Sequence, residues 1–152
     1  MLSITSLKNK LAEQFTDLDF QEGEDFLWNA NTKTVTYATN PTDDPALLLH
    51  ETAHALLNHR GYSRDIELIQ IERQAWDYAK SELGPQFGVP ISEELVEDSL
   101  DSYRTWLHKR STCPSCGLNG IQESQKTYRC INCRSRWSVN EARTCQLKRT
   151  RI

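Results

Sequence analysis

No apolar run in this 152-residue chain is long enough to cross a bilayer, which excludes a helical membrane span. The opening stretch MLSITSLKNKLAEQF lacks a basic segment followed by a long apolar one, so no secretory signal is expected. These absences point to the cytoplasm, where cysteines stay reduced and paired CxxC motifs bind metal more often than they form disulfides. There is no internal repeat and no low-complexity segment. Acidic residues are nearly missing from the C-terminal part. From residue 109 onward ten Lys/Arg face only Glu123 and Glu141, a net +8, while residues 1–108 carry −11. That polarity predicts two units with different partners, or units that attract each other.

What is present is an ordinary globular composition, 38% hydrophobic and 26% charged. Ile4, Leu7, Leu11 and Phe15 fall at helical spacing and predict an amphipathic helix over 4–16. Aromatic and β-branched runs at 25–29 and 33–38, around an Asn-rich turn, predict a hairpin. Asp43 or Asp44 as N-cap, with Pro45 in the first turn, opens a helix that Gly61 is expected to stop. A second helix is expected from about Asp65 to Leu83, ending at Gly84-Pro85, and a third from near Ser92 to about Lys109.

The first helix carries LLLHETAHALLNHR. Residues four apart lie on one helix face, so His50 and His54 can aim two imidazole nitrogens at one zinc ion. Glu51 then lies beside the metal, where it can act as general base toward an attacking water. The alternative is a core helix with incidental histidines. A catalytic zinc needs three protein ligands and an open position. A third histidine in metzincin register would fall at 60, where the chain has Arg60; His59 is one residue out of register and reads as a polar residue near the helix end. On the second helix Glu67 has polar neighbours, whereas Glu72 lies in the apolar stripe of Leu68, Ile69, Ala75, Trp76 and Ala79. A buried carboxylate needs a cation, so Glu72 is the expected third ligand. A salt bridge to Arg64 or Arg73 is its alternative.

HExxH followed by a ligand Glu on the next helix is the gluzincin pattern. ERQAWDYA, 72–79, resembles the E-x-x-A-N-x-F-A signature of the ImmA/IrrE family of metallopeptidases, with Glu72, Ala75 and Ala79 matching and Tyr78 in place of Phe. ALLNH after His54 is similar too. The family's Asn stands as Trp76 here, so any orienting role it has toward a ligand histidine must pass to another group. The resemblance covers roughly residues 25–85. It implies an α+β, small zincin-like domain (hairpin or small sheet plus active-site helices) that hydrolyses a protein substrate. It also implies an edge strand that holds the substrate extended, for which 33–38 is the candidate. Tyr62 and His108 are candidate oxyanion donors, against surface or core packing as the plainer reading.

Cys113-Pro-Ser-Cys116 and Cys130-Ile-Asn-Cys133 form two knuckles that resemble a zinc ribbon. Four thiolates close a tetrahedral structural site, with Gly117 suited to a tight turn. The expected domains are therefore a metallopeptidase-like domain over 1–108, a ribbon over 109–145 and a disordered basic tail over 146–152, with two zinc ions per chain. Cys145 is left as a free thiol. The basic residues with Tyr128 and Trp137 predict a nucleic-acid surface, a solvated face or a dock for the chain's own acidic half. Two other functions stay open. HExxH plus a ribbon also resembles SprT/Spartan-type proteases acting on DNA-bound proteins, although those use a third His and this chain has none between His59 and His108. The other is a non-catalytic regulator that contacts nucleic acid or protein.

Overall fold

The computed structural model describes residues 2–142 and 146–152; Cys145 lies outside the described residues. The fold is α+β and divides into two compact units, Met1–Arg60 with Ile71–Val96, and Gly61–Gln70 with Glu97–Ile152. Residues 61–70 and 97–108 thus pack with the cysteine-rich segment rather than with the domain expected over 1–108. Among the described residues no helix is long and apolar enough to cross a membrane.

In the first unit, α1 (Ile4–Gln14) buries Ile4, Leu7 and Leu11, and Ser3 caps it by accepting from the Ser6 amide at 3.1 Å. A small sheet has the order β1 (Asp19–Glu22), β3 (Thr34–Tyr37), β2 (Leu27–Asn29). β2 and β3 form the expected antiparallel hairpin. Asn29 Oδ1 shapes its turn by accepting from the Asn31 amide at 3.0 Å. β1 pairs parallel with β3, which the mixed sequence DFQE did not announce. With β3 paired on both sides, the edge role expected for 33–38 falls away, and the outer strands are β1 and β2.

α2 (Ala46–Leu56) packs on β2 and β3. The N-cap position is Pro45, one residue later than expected, and Asp44 Oδ1 just before it accepts from the Ala46 amide at 2.9 Å. The helix stops at Asn58 rather than Gly61. Asn58 takes a left-handed φ of 55° and donates to Ala55 O at 3.1 Å, while the His59 amide reaches back to His54 O at 3.0 Å. This is a Schellman ending, with Asn in the place more often filled by Gly.

α3 (Asp65–Tyr78) continues through a π-helical turn, Ala79–Leu83, into the short α4 (Gly84–Phe87). Gly84-Pro85 therefore does not end the helical run. Proline is tolerated in the first turn of a helix, where its missing N–H has no partner to lose. The stop is Gly88, at φ 70°. α5 (Glu93–Ser111) starts at Ser92, whose Oγ accepts from the Leu95 amide at 3.1 Å.

The second unit carries an antiparallel sheet in the order β4 (Ile121–Ser124), β5 (Thr127–Arg129), β6 (Arg136–Val139), β7 (Arg149–Arg151). The tail expected to be disordered thus supplies an edge strand, with Arg149 opposite Val139 and Arg151 opposite Trp137. Cys113, Tyr128, Cys130, Trp137 and Val139 form the core of this unit. Beside it, buried Arg110 donates from Nε to Asp65 Oδ2 at 2.7 Å and from Nη1 to Asn140 O at 2.7 Å. The Tyr128 hydroxyl donates to the same Asp65 carboxylate.

Candidate metal centres

Two groups of donors come together among the described residues: His50, Glu51 and His54, and the four cysteines Cys113, Cys116, Cys130 and Cys133. The first is built on one buried face of α2. His50 and His54 are 5% and 6% exposed, and Glu72, brought in by α3, is 6% exposed. Glu72 turns to the histidines, with Oε2 2.8 Å from His50 Nε2 and Oε1 3.4 Å from His54 Nε2. The two Nε2 atoms are 3.1 Å apart. A tetrahedral ion with bonds of about 2.0–2.1 Å sets its ligand atoms about 3.3 Å apart, so the two imidazole nitrogens and the two carboxylate oxygens lie at about the separations such an ion needs. Glu51 Oε1 is 4.0 Å from His50 Nε2, too far for a fourth corner and close enough to serve what stands there.

The electrostatics agree with that donor set. Burial pushes the Glu72 carboxyl up, but hydrogen bonds to His50 and His54, and their charge, reverse this and hold it at about 2. Burial also lowers the His50 imidazole, against the pull of Glu72. A charged carboxylate and a neutral imidazole are the forms that bind a metal. Without one, the His50 ring has one nitrogen against Glu72, while its buried Nδ1 has no hydrogen-bond partner among the described residues.

The ring of His50 is held instead by Trp76, stacked on it at 4.2 Å between centroids and 19° between planes. The His50 ring is thus oriented by stacking rather than by a hydrogen bond at Nδ1. His54 is oriented differently. Its Nδ1 lies 2.9 Å from His59 Nδ1, and His59 Nε2 lies 3.1 Å from Gln74 Oε1. His59 therefore touches a candidate ligand, in a place that the helical register of its neighbours did not indicate. Its signal was Asn58, a residue that tolerates the left-handed turn. Tyr62 and His108, the candidate oxyanion donors, belong to the second unit.

The four cysteines are free thiols with Sγ atoms 3.6 Å apart for Cys113 and Cys133 and 3.5 Å for Cys116 and Cys130. Thiolates on a tetrahedral ion at about 2.3 Å stand about 3.8 Å apart, so this set is also close to ligand geometry. The two knuckles repeat one backbone pattern. Gly117 and Arg134 follow the second cysteine of each at left-handed φ of 79° and 65°. Their amides donate to Cys113 O and Cys130 O, both at 3.0 Å. A hydrogen bond with Ser135, with further help from Cys113 and Cys116, pulls the Cys133 thiol down to about 6, toward thiolate.

Tyr128 and Trp137 do not offer a stacking platform. They are 2% and 0% exposed and stack on each other at 5.7 Å. Several cations of the basic segment are also engaged: Arg129 and Arg136 with Glu123, Lys126 with Glu141, and Arg110 with Asp65. No family model, no curated protein and no solved structure matches this chain.

Proposed function

We propose that this chain is a small zinc metallopeptidase, with His50, His54 and Glu72 as ligands of a catalytic zinc and Glu51 as general base. The convergence of the two Nε2 atoms and the Glu72 carboxylate within 2.8–3.4 Å carries this reading. The resemblance of HETAH and ERQAWDYA to the ImmA/IrrE pattern supports it, and makes a protein the expected substrate in a zincin-like domain. A second zinc on the four cysteines has a structural role, because four thiolates leave no open position.

Bound zinc supplies a Lewis acid for the scissile carbonyl and lowers the pKa of the attacking water. Glu51, with a side chain 16% exposed, stands at the rim of the site. It takes the proton from water as the oxygen bonds to the carbonyl carbon. As the C–N bond breaks it returns that proton to the leaving amine. Glu72 keeps its negative charge at neutral pH and balances the cation. β2 is our candidate for the substrate edge. Its Trp28 Nε1 donates to His59 O at 2.8 Å, which ties the strand to the end of the active-site helix.

The test is Glu51→Gln against wild type on unfolded protein substrates, with and without DNA. We expect cleavage to fall by about 10²–10⁴-fold with zinc still bound. Cleavage that survives in the zinc-loaded variant overturns the hydrolytic role. A biological activity that survives favours a non-catalytic regulator, and DNA-stimulated cleavage by wild type favours the SprT/Spartan-like alternative.

A further inference from the structure

We infer that His59 is a positioning residue that fixes the tautomer of His54 and so presents its Nε2 lone pair to the metal. The inference rests on the metal reading above and adds to it a residue outside the HExxH motif.

The hydrogen-bond relay runs inward from Gln74. Its Oε1 is an acceptor only, so at 3.1 Å His59 Nε2 must carry the proton. A neutral imidazole has one N–H, which leaves His59 Nδ1 as an acceptor. His54 Nδ1, 2.9 Å away, must then be the donor. With its proton on Nδ1, His54 has a bare Nε2. That atom faces His50 Nε2 at 3.1 Å and Glu72 Oε1 at 3.4 Å, where a lone pair gains nothing from either neighbour but is what a cation needs. The Schellman ending of α2 makes the relay possible. It turns the chain at Asn58 and brings the fifth residue after His54 back over His54, with ring centroids 5.1 Å apart. Among the described residues His50 has no such partner on its own Nδ1, so there the hydrogen-bonded support falls on one ligand of the pair. The outer end of the relay opens on a groove of about 520 Å³ lined by Leu57, His59, Gln74 and Asp77 among others. Water there can replace Gln74 in part, and His59 is the side chain that meets His54 Nδ1.

The test uses the full chain as wild type, His59→Leu, His59→Asn and Gln74→Leu. Asn places Oδ1 where the His59 Nδ1 acceptor stands and is the conservative rescue. Zinc affinity of the histidine site is measured by chelator competition, with the zinc of the cysteine site as the internal control for folding. The side-chain tautomer of His54 is read by nitrogen-15 NMR before that site is loaded. We expect His54 to be protonated on Nδ1 in wild type. His59→Leu should weaken zinc about 10–100-fold, with partial recovery in His59→Asn and a smaller loss in Gln74→Leu. Protonation of wild-type His54 on Nε2, or unchanged affinity in His59→Leu, overturns the inference alone. A wild-type chain that holds zinc only on the cysteines overturns the metal reading, and this inference with it.

Discussion

Single residues set both the ionisation and the orientation of the candidate site. His50 is neutral in the fold because burial lowers its pKa from the ordinary 6.5. In the unfolded chain it takes up a proton near that value. The unfolded state then binds more protons, so acidification below pH 6.5 favours unfolding of the metal-free chain. The slope for one such group is at most about 1.4 kcal/mol per pH unit. Urea midpoints between pH 7.5 and 5.5 should fall in the wild type and fall less in His50→Asn. Equal slopes would contradict the depressed imidazole. Glu72 acts with the same sign in a lower window. Its carboxyl is held at about 2 against an ordinary 4.5, so the stability it contributes is present above 4.5 and lost as pH falls toward 2. The site was legible at this scale wherever spacing carried it: the step of four from His50 to His54, and the apolar neighbours that placed Glu72. The stack of Trp76 and the contact of His59 were not, because neither follows from helical register.

At the scale of elements, the ends of α2 and α3 decide what the middle can do. Asn58 ends α2 in the left-handed region, where a β-branched residue is strained. Asn58→Val should cost about 1–2 kcal/mol and disturb the His59 contact, whereas Asn58→Gly should be nearly neutral; thermal denaturation of the two variants checks this. The sequence pointed to Gly61 because glycine is the usual stop, yet asparagine met the same conformational need three residues earlier. Gly84-Pro85 misled in the same way. Its proline sits in the first turn of α4, where it breaks no bond, and the run ends at Gly88. β1 escaped notice because three of its four residues are polar and it pairs with a strand twelve or more residues away. The helices α1, α2 and α5 were legible from their apolar period and their caps.

For the molecule as a whole, the informative feature lies at long range in the second unit. Asp65 and Arg110 are 45 residues apart and meet in a buried pair that the Tyr128 hydroxyl and the Asn140 carbonyl complete. Removing one partner leaves the other charge buried and unpaired. Arg110→Ala should destabilise the chain by about 3–5 kcal/mol, and a chemical denaturation series on the zinc-loaded protein measures it. No pattern within a single element could have shown this pair. The charge asymmetry did show that the C-terminal segment differs in kind, but not that much of its charge is spent on internal pairs or that its two aromatics are buried. The central claim is that this chain holds two ions on two separate donor sets, one of them the site on α2 and α3. Elemental mass spectrometry of zinc per chain, on wild type and Glu72→Ala side by side, tests it most directly. We expect two in the wild type, falling to about one in the variant. Two in both, or one in the wild type, would contradict it.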